Sequence, residues 1–185
     1  KSWGEKKFSQ NKLIQSHYLN KNYQNGQVIK VQGHSFELAL QKANRKSFKA
    51  ALKGKILQIA VPLEAEEIQV QKTLPRLISN VLSQCFYQQI YNRVNQINLQ
   101  YFQKDITRFS LKYTSSIWGS CSSKGGITLS SRLLLAPQSV LDYVIVHELT
   151  HFEHRDHSRR FWNAVERVMP DYREHEKWLK KNGPL

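Results

Sequence analysis

With 185 residues, 40% of them hydrophobic, the chain has room for one domain with a substantial core and a small appendage. Its two cysteines, Cys85 and Cys121, exclude a disulfide framework, and without CxxC spacing they exclude a thiolate metal site; both are expected as reduced thiols. The formal net charge of +14 is uneven: residues 1–60 hold 12 Lys and Arg against 2 Asp and Glu, a net +10, while residues 61–185 hold 16 against 12.

In chain order, residues 1–30 are a basic stretch rich in Lys, Asn and Gln, with Asn25-Gly26 as a turn signal, and read as loosely ordered. Trp3, Phe8, Tyr18 and Tyr23 are interleaved with the lysines, as base stacking requires. Residues 1–60 are therefore expected to bind nucleic acid weakly and without sequence preference, although a basic tail that only keeps the chain soluble has the same composition. Lys1 to Leu13 is polar and charged, unlike a signal peptide, and no apolar run reaches transmembrane length. A cytoplasmic protein with no membrane partner is the expectation.

Residues 31–185 read as a single domain, β-rich over 31–72 and helical over 73–185. Alternation at Phe36, Leu38 and Leu40, at Phe48, Ala50 and Leu52, and at Leu57, Ile59 and Val61 predicts three short strands in a small antiparallel meander. Thr73 then caps a long amphipathic helix whose core face includes Leu74, Leu77, Ile78, Val81, Leu82, Cys85, Ile90, Val94 and Ile97. Residues 107–113 and 127–135 read as strands joined through Trp118-Gly119-Ser120-Cys121 and Lys124-Gly125-Gly126. Trp118 is expected in the core, and Gly119 where a bend or a close backbone approach is needed. Pro137 opens the next helix. A further helix runs from Arg159 to Val168, and a last amphipathic segment carries His175, Trp178 and Leu179. The fold class is α+β.

The helix after Pro137 contains His147-Glu148-Leu149-Thr150-His151. Two histidines four apart on one helix face can hold one Zn²⁺, and the intervening glutamate then lies beside the metal's open position as a general base. The apolar run Tyr143–Val146 before the motif fits a buried helix carrying ligands into a domain. A third protein ligand is required. His154 shares the face of His147 if the helix continues, His157 reaches the metal if the chain turns after about Glu153, and His175 arrives only through tertiary folding; the spacing leaves these open. Asp156 or Ser158 could cap the helix that follows.

These segments taken in order, Trp118-Gly119-Ser120-Cys121, Leu141-Asp142-Tyr143-Val144-Ile145-Val146-His147-Glu148-Leu149, His157-Ser158 with Phe161-Trp162, Pro170-Asp171-Tyr172 and Trp178-Leu179, resemble the YgjP-like metallopeptidases, relatives of the SprT-like zincins. The likeness covers most of the chain and is densest over residues 108–182. It implies a zincin-like metallopeptidase core, Zn²⁺ as cofactor, and His157 as the third ligand beside His147 and His151; His154 then supports the ligands from behind or lies on the surface. His175, on the last amphipathic segment, is expected from its position to be an ordinary surface histidine. The chain departs from the family at Ile117, where arginine is usual, and at Asp156, where asparagine is usual. Neither departure removes a ligand, but a substrate contact made by that arginine has no counterpart here. A metzincin needs glycine midway between its second and third histidines, where this chain has His154, and Met169 is too close to the motif for a Met-turn.

The implied function is a zinc metallopeptidase in which Glu148 deprotonates a zinc-bound water, acting on protein or peptide substrates that include nucleic-acid-associated proteins. Tyr143, Tyr172 and His154 are candidates for the oxyanion donor, and Asp142 and Glu166 for orienting the histidines. An activity that also travels with the family is nucleotide (UTP-type) pyrophosphate hydrolysis, for which Arg155, Arg159 and Arg160 could clamp phosphates. A third alternative is a non-catalytic nucleic-acid-binding protein with a structural zinc. Glu148 argues against it, since a structural site has no use for a general base.

Overall fold

The computed structural model describes residues 22–182, so the expectations for residues 1–21, with Trp3, Phe8 and Tyr18, lie outside the described part. The chain divides into two compact units, residues 1–81 and 82–185. The division falls inside a 31-residue helix, α1 (Glu67–Ile97).

The first unit holds a four-stranded sheet of β1 (Val28–Val31), β2 (His34–Ala43), β3 (Lys49–Lys53) and β4 (Ile56–Pro62) in the order β1-β2-β4-β3. Gln32 and Gly33 both have positive φ, 47° and 80°, as the tight turn between β1 and β2 requires. The expected period of two holds in β4, where Leu57, Ile59 and Val61 are buried, and in most of β2, where Phe36 and Leu38 are buried and Leu40 half-buried; it fails in β3, where Ala50 and Leu52 are half-buried like Ala51 between them and Phe48 precedes the strand. The predicted antiparallel meander is corrected. β2 pairs with β4 in parallel, Glu37 opposite Ile56 through Ala43 opposite Pro62, and β3 lies beyond β4, antiparallel to it. Alternation fixes which residues face the core but not which strand is the neighbour, and the link 44–48 is long enough to step past β4.

Helix α1 begins six residues before Thr73, which lies in its interior with Oγ1 donating to the Gln69 carbonyl at 2.8 Å. The helix extends upstream because Val70, one turn before Leu74, is also buried. Cys85 is exposed and Phe86 is buried in its place. The buried positions Val70, Leu74, Ile78, Leu82, Phe86, Ile90 and Val94 are each four apart. A four-residue step overshoots one helical turn by about 40°, so the buried face winds around the helix.

The second unit holds β5 (Arg108–Lys112), β6 (Gly119–Cys121) and β7 (Gly126–Ser130) in the order β5-β7-β6, with β5 parallel and β6 antiparallel to β7. Residues Ser131–Leu135, expected as strand, form a 3-10 turn that starts where the Ser130 hydroxyl accepts from the Arg132 N–H. Three helices follow: α2 (Gln138–Thr150), α3 (Arg159–Val168) and α4 (Tyr172–Asn182). The architecture is α+β. Among the described residues no helix is long and apolar enough to cross a membrane.

Candidate metal centre

Pro137 precedes the first residue of α2 and its carbonyl accepts from Val140 and Leu141, starting the helix where the sequence placed it. The residues from Val140 to Val146 and from Glu148 to Thr150 are buried. A helix this apolar lies inside its unit, so its polar side chains are held in a low-dielectric setting.

Asp142 is committed elsewhere. Its carboxylate receives Arg93 Nε at 2.9 Å and Nη2 at 2.8 Å, and Gln138 Nε2 at 2.8 Å. The pair raises the Arg93 pKa, chiefly through the hydrogen bond to Asp142. The aspartate expected to orient a histidine instead neutralises an arginine. Glu166 is exposed on α3.

α2 ends at Thr150, and Phe152, Glu153 and His154 donate back to Leu149 and Thr150 in a closing turn. That turn brings His157 to the motif. The imidazole nitrogens of His147, His151 and His157 lie within 4.8 Å of one another, and Nε2 of His147 is 3.0 Å from Nε2 of His157. Two ligands about 2.1 Å from a shared tetrahedral ion stand about 3.4 Å apart, so the donor set fits a cation, with a fourth position left over. His154 contributes through its backbone: its carbonyl accepts from His151 Nδ1 at 3.0 Å, which leaves His151 Nε2 with a free lone pair.

Burial is the larger reason that the His147 pKa falls from 6.5 to about 3, with His151 and His157 adding repulsion; His151 is lowered mainly by burial. Both rings are thereby kept neutral, the form that binds a metal. Phe161 of α3, fully buried, lies 4.7–4.8 Å from all three imidazoles, and Trp162 is about 6 Å from His147 and His157. Ser158 is the N-cap of α3, without a side-chain cap bond. The His-Ser-x-x-Phe-Trp run thus supplies a donor atom and the apolar wall behind the cluster.

Glu148 follows His147 on α2 and packs against the second sheet. The residue is 4% exposed, and burial raises its pKa from 4.5 to about 8. It lies against the backbone of Gly119 in β6: a Cβ added there would fall 2.8 Å from Glu148 Cγ and 2.9 Å from Cδ, and would overlap Oε1. The close approach expected of Gly119 is therefore real, and its partner is Glu148.

Trp118 is half-buried, not a core residue, with Arg132 over its ring at 4.1 Å and Trp178 at 6.4 Å. Of the proposed oxyanion donors, Tyr143 and Tyr172 are both buried and stack on each other at 6.4 Å, and Tyr143 lies 6.0 Å from His147. Burial pushes the Tyr143 pKa up, so its phenol keeps its proton. His175, expected on the surface, is buried at 6% exposure, beside Tyr143 and 3.5 Å from Asp171, and is not in the histidine cluster. It shares the buried face of α4 with Trp178 and Leu179, three and four residues on.

The profile of the family described as "YgjP-like, metallopeptidase domain" matches residues 1–182. No curated protein matches the chain. Two solved structures are similar to half of it: the metallopeptidase zymogen of Pyrococcus abyssi abylysin, 21% identical with a TM-score of 0.45, over 50% of this chain and 93% of that one; and the metallopeptidase zymogen of Methanocaldococcus jannaschii jannalysin, 23% identical with a TM-score of 0.45, over 50% and 94%.

Proposed function

The chain belongs to the YgjP-like metallopeptidase family, and from that premise we propose a zinc-dependent peptidase with a zincin-like core, in which His147, His151 and His157 hold the metal and Glu148 is the general base. The observation that carries this reading is the convergence of three imidazoles within 4.8 Å, one residue along α2 from a buried carboxyl. A set of neutral imidazoles suits zinc, and three protein ligands instead of four favour a catalytic over a structural ion.

When bound, zinc supplies a Lewis acid that polarises the scissile carbonyl and acidifies water. The chain supplies the rest. The Glu148 carboxylate takes a proton from the attacking water and returns it to the departing amine; a cation held by the adjacent histidines favours its ionised form against the cost of burial. β6 offers an edge of small residues to which an extended peptide could add as a strand beside Glu148. Tyr143, kept protonated and 6.0 Å from His147, is the donor proposed for the developing oxyanion. The cationic first third suggests substrates associated with nucleic acid.

The test compares the parent with Glu148→Ala on a protein substrate, a protein–DNA conjugate and nucleoside triphosphates. Peptide hydrolysis should fall by roughly 10²-fold or more with zinc content and fold retained. Full proteolysis by the metal-replete variant would remove Glu148 as base, and loss of triphosphate hydrolysis alone would make the site a pyrophosphatase.

A further inference from the structure

The segment 152–158 between α2 and α3 does two things at once. Its His154 carbonyl orients His151, and three residues later its His157 ring completes the cluster. So short a segment of exposed and half-exposed residues has little core of its own to hold it. It is fastened instead at two points within its own unit.

One fastening is Glu153, whose Oε1 pairs with Lys104 Nζ at 2.9 Å; Lys104 is itself fixed, its N–H donating to Asn98 Oδ1 at 3.0 Å and its carbonyl accepting from Asn98 Nδ2 at 2.8 Å. The other is Arg155. Its Nη1 donates to the Ser122 carbonyl at 3.1 Å and reaches Cys121 Sγ at 3.8 Å, where β6 ends. The two are unlike. Both are open to solvent, and the first joins two flexible side chains, so that both ends must be held for the pair to form. The second runs from a permanently charged, planar donor to a backbone carbonyl, one residue after His154 and two before His157.

We infer that Arg155 is a positioning residue for the metal. By tying the ligand segment to the end of β6, it keeps the His154 carbonyl under His151 and the His157 ring facing His147. It also fixes both to the strand against which Glu148 lies, so ligands and base share one reference frame. Arg155 touches neither the metal position nor the reacting atoms. Of the three arginines that the sequence offered to a phosphate group, Arg155 is bonded to the chain's own backbone. The inference rests on His147, His151 and His157 being the metal ligands.

The experiment titrates zinc against a chromophoric chelator in the full chain, as the parent and as Arg155→Ala, Arg155→Lys and His157→Ala. It also records cobalt-substituted spectra and the thermal unfolding of the metal-free proteins. Arg155→Ala should weaken zinc binding by roughly 10- to 100-fold, the range for a lost outer-shell partner. Its cobalt spectrum should change while metal-free unfolding stays at the parental temperature. Arg155→Lys, which keeps a donor for the Ser122 carbonyl, should recover most of the affinity. Parental affinity in Arg155→Ala overturns the inference, and so does a loss of affinity matched by an equal loss of metal-free stability. Parental affinity in His157→Ala would bring down the ligand assignment instead.

Discussion

In the first sheet β2 runs parallel to β4 while β3 runs antiparallel to it from the far side; in the second, β5 runs parallel to β7 while β6 runs antiparallel to it from the far side. The same arrangement of three strands therefore occurs twice, and the edges differ. β3 reads Lys49-Ala50-Ala51-Leu52-Lys53, with an exposed lysine at each end, and lysine on an edge opposes pairing with a further strand. β6 reads Gly119-Ser120-Cys121, uncharged and small, and its first residue touches Glu148. One arrangement thus carries a lysine-flanked edge and an uncharged one that touches a buried acid, so the two sheets differ in their edge residues and not in their topology.

Breaking the uncharged edge should have the largest effect. Gly119→Ala forces Glu148 or β6 to move, since the new Cβ meets Glu148 Cγ at 2.8 Å. A displacement of about 1 Å at a catalytic group can cost about 10²-fold in rate, and overpacking costs about 1–3 kcal/mol in stability. Both are expected in Gly119→Ala, with zinc retained, whereas Lys53→Ala on the lysine-flanked edge should stay within about 0.5 kcal/mol of the parent. Parental kcat in Gly119→Ala would mean that the contact between β6 and Glu148 has no part in catalysis.

The buried acid beside β6 has no counterpart in the first sheet, and its burial leaves a signature in pH. Glu148 has a folded pKa near 8 against an ordinary 4.5. An acid whose pKa is raised on folding contributes stability while protonated, fully below about 4.5, and loses it as the pH rises through about 8. A tenfold change in proton affinity between the folded and unfolded chain corresponds to about 1.36 kcal/mol. Metal-free Glu148→Gln should therefore match the parent at pH 4 and exceed it by up to a few kcal/mol at pH 9, in urea unfolding with a chelator present. Zinc should narrow the gap by stabilising the carboxylate. A gap that does not change with pH would mean that desolvation is not what separates the two proteins.

Placing an edge lysine like those of the first sheet on the second is a gentler test. Ser120→Lys puts an exposed charge on β6 without touching a proposed ligand. KM for a protein substrate should rise about tenfold, about 1.4 kcal/mol of binding, while kcat and zinc content hold. An unchanged KM would exclude β6 as the edge that receives substrate.

What could be read from the sequence divides along the same lines. His147, Glu148 and His151 were legible because helical spacing alone puts the histidines on one face; spacing left the third histidine open, and only a turn ending α2 at Thr150 brings His157 in. Apolar alternation located Leu38, Leu57 and Ile59, yet strand order depends on non-local pairing that no local pattern carries. Thr73 resembled a cap because the apolar face was read as beginning at Leu74, but burial of Val70 carries the helix further upstream. The hydrogen bond from Arg155 to the Ser122 carbonyl had no signal at all, since a bond to a backbone group 33 residues away leaves no trace in residue type.

The smallest effect concerns charge. Residues 1–81 hold 14 Lys and Arg against 5 Asp and Glu, a net +9, and residues 82–185 hold 14 against 9, a net +5. If the first part engages polyanions through phosphates, affinity should fall steeply with salt, each contact contributing about −0.9 to the log–log slope on duplex DNA. Replacing Lys1, Lys6, Lys7, Lys12 and Lys21 by Gln removes five charges and leaves the buried Ile29 and Val31 of β1 intact, which a truncation at residue 30 would not. The substituted protein should show a shallower slope than the parent, and Arg159→Gln with Arg160→Gln in the second part should change it less. Zinc content and cleavage of a free peptide should be the same in all three, because every proposed ligand lies beyond residue 140. A parent protein that binds no polyanion at low salt would end the nucleic-acid part of the reading and leave the peptidase part standing on the histidine cluster and Glu148.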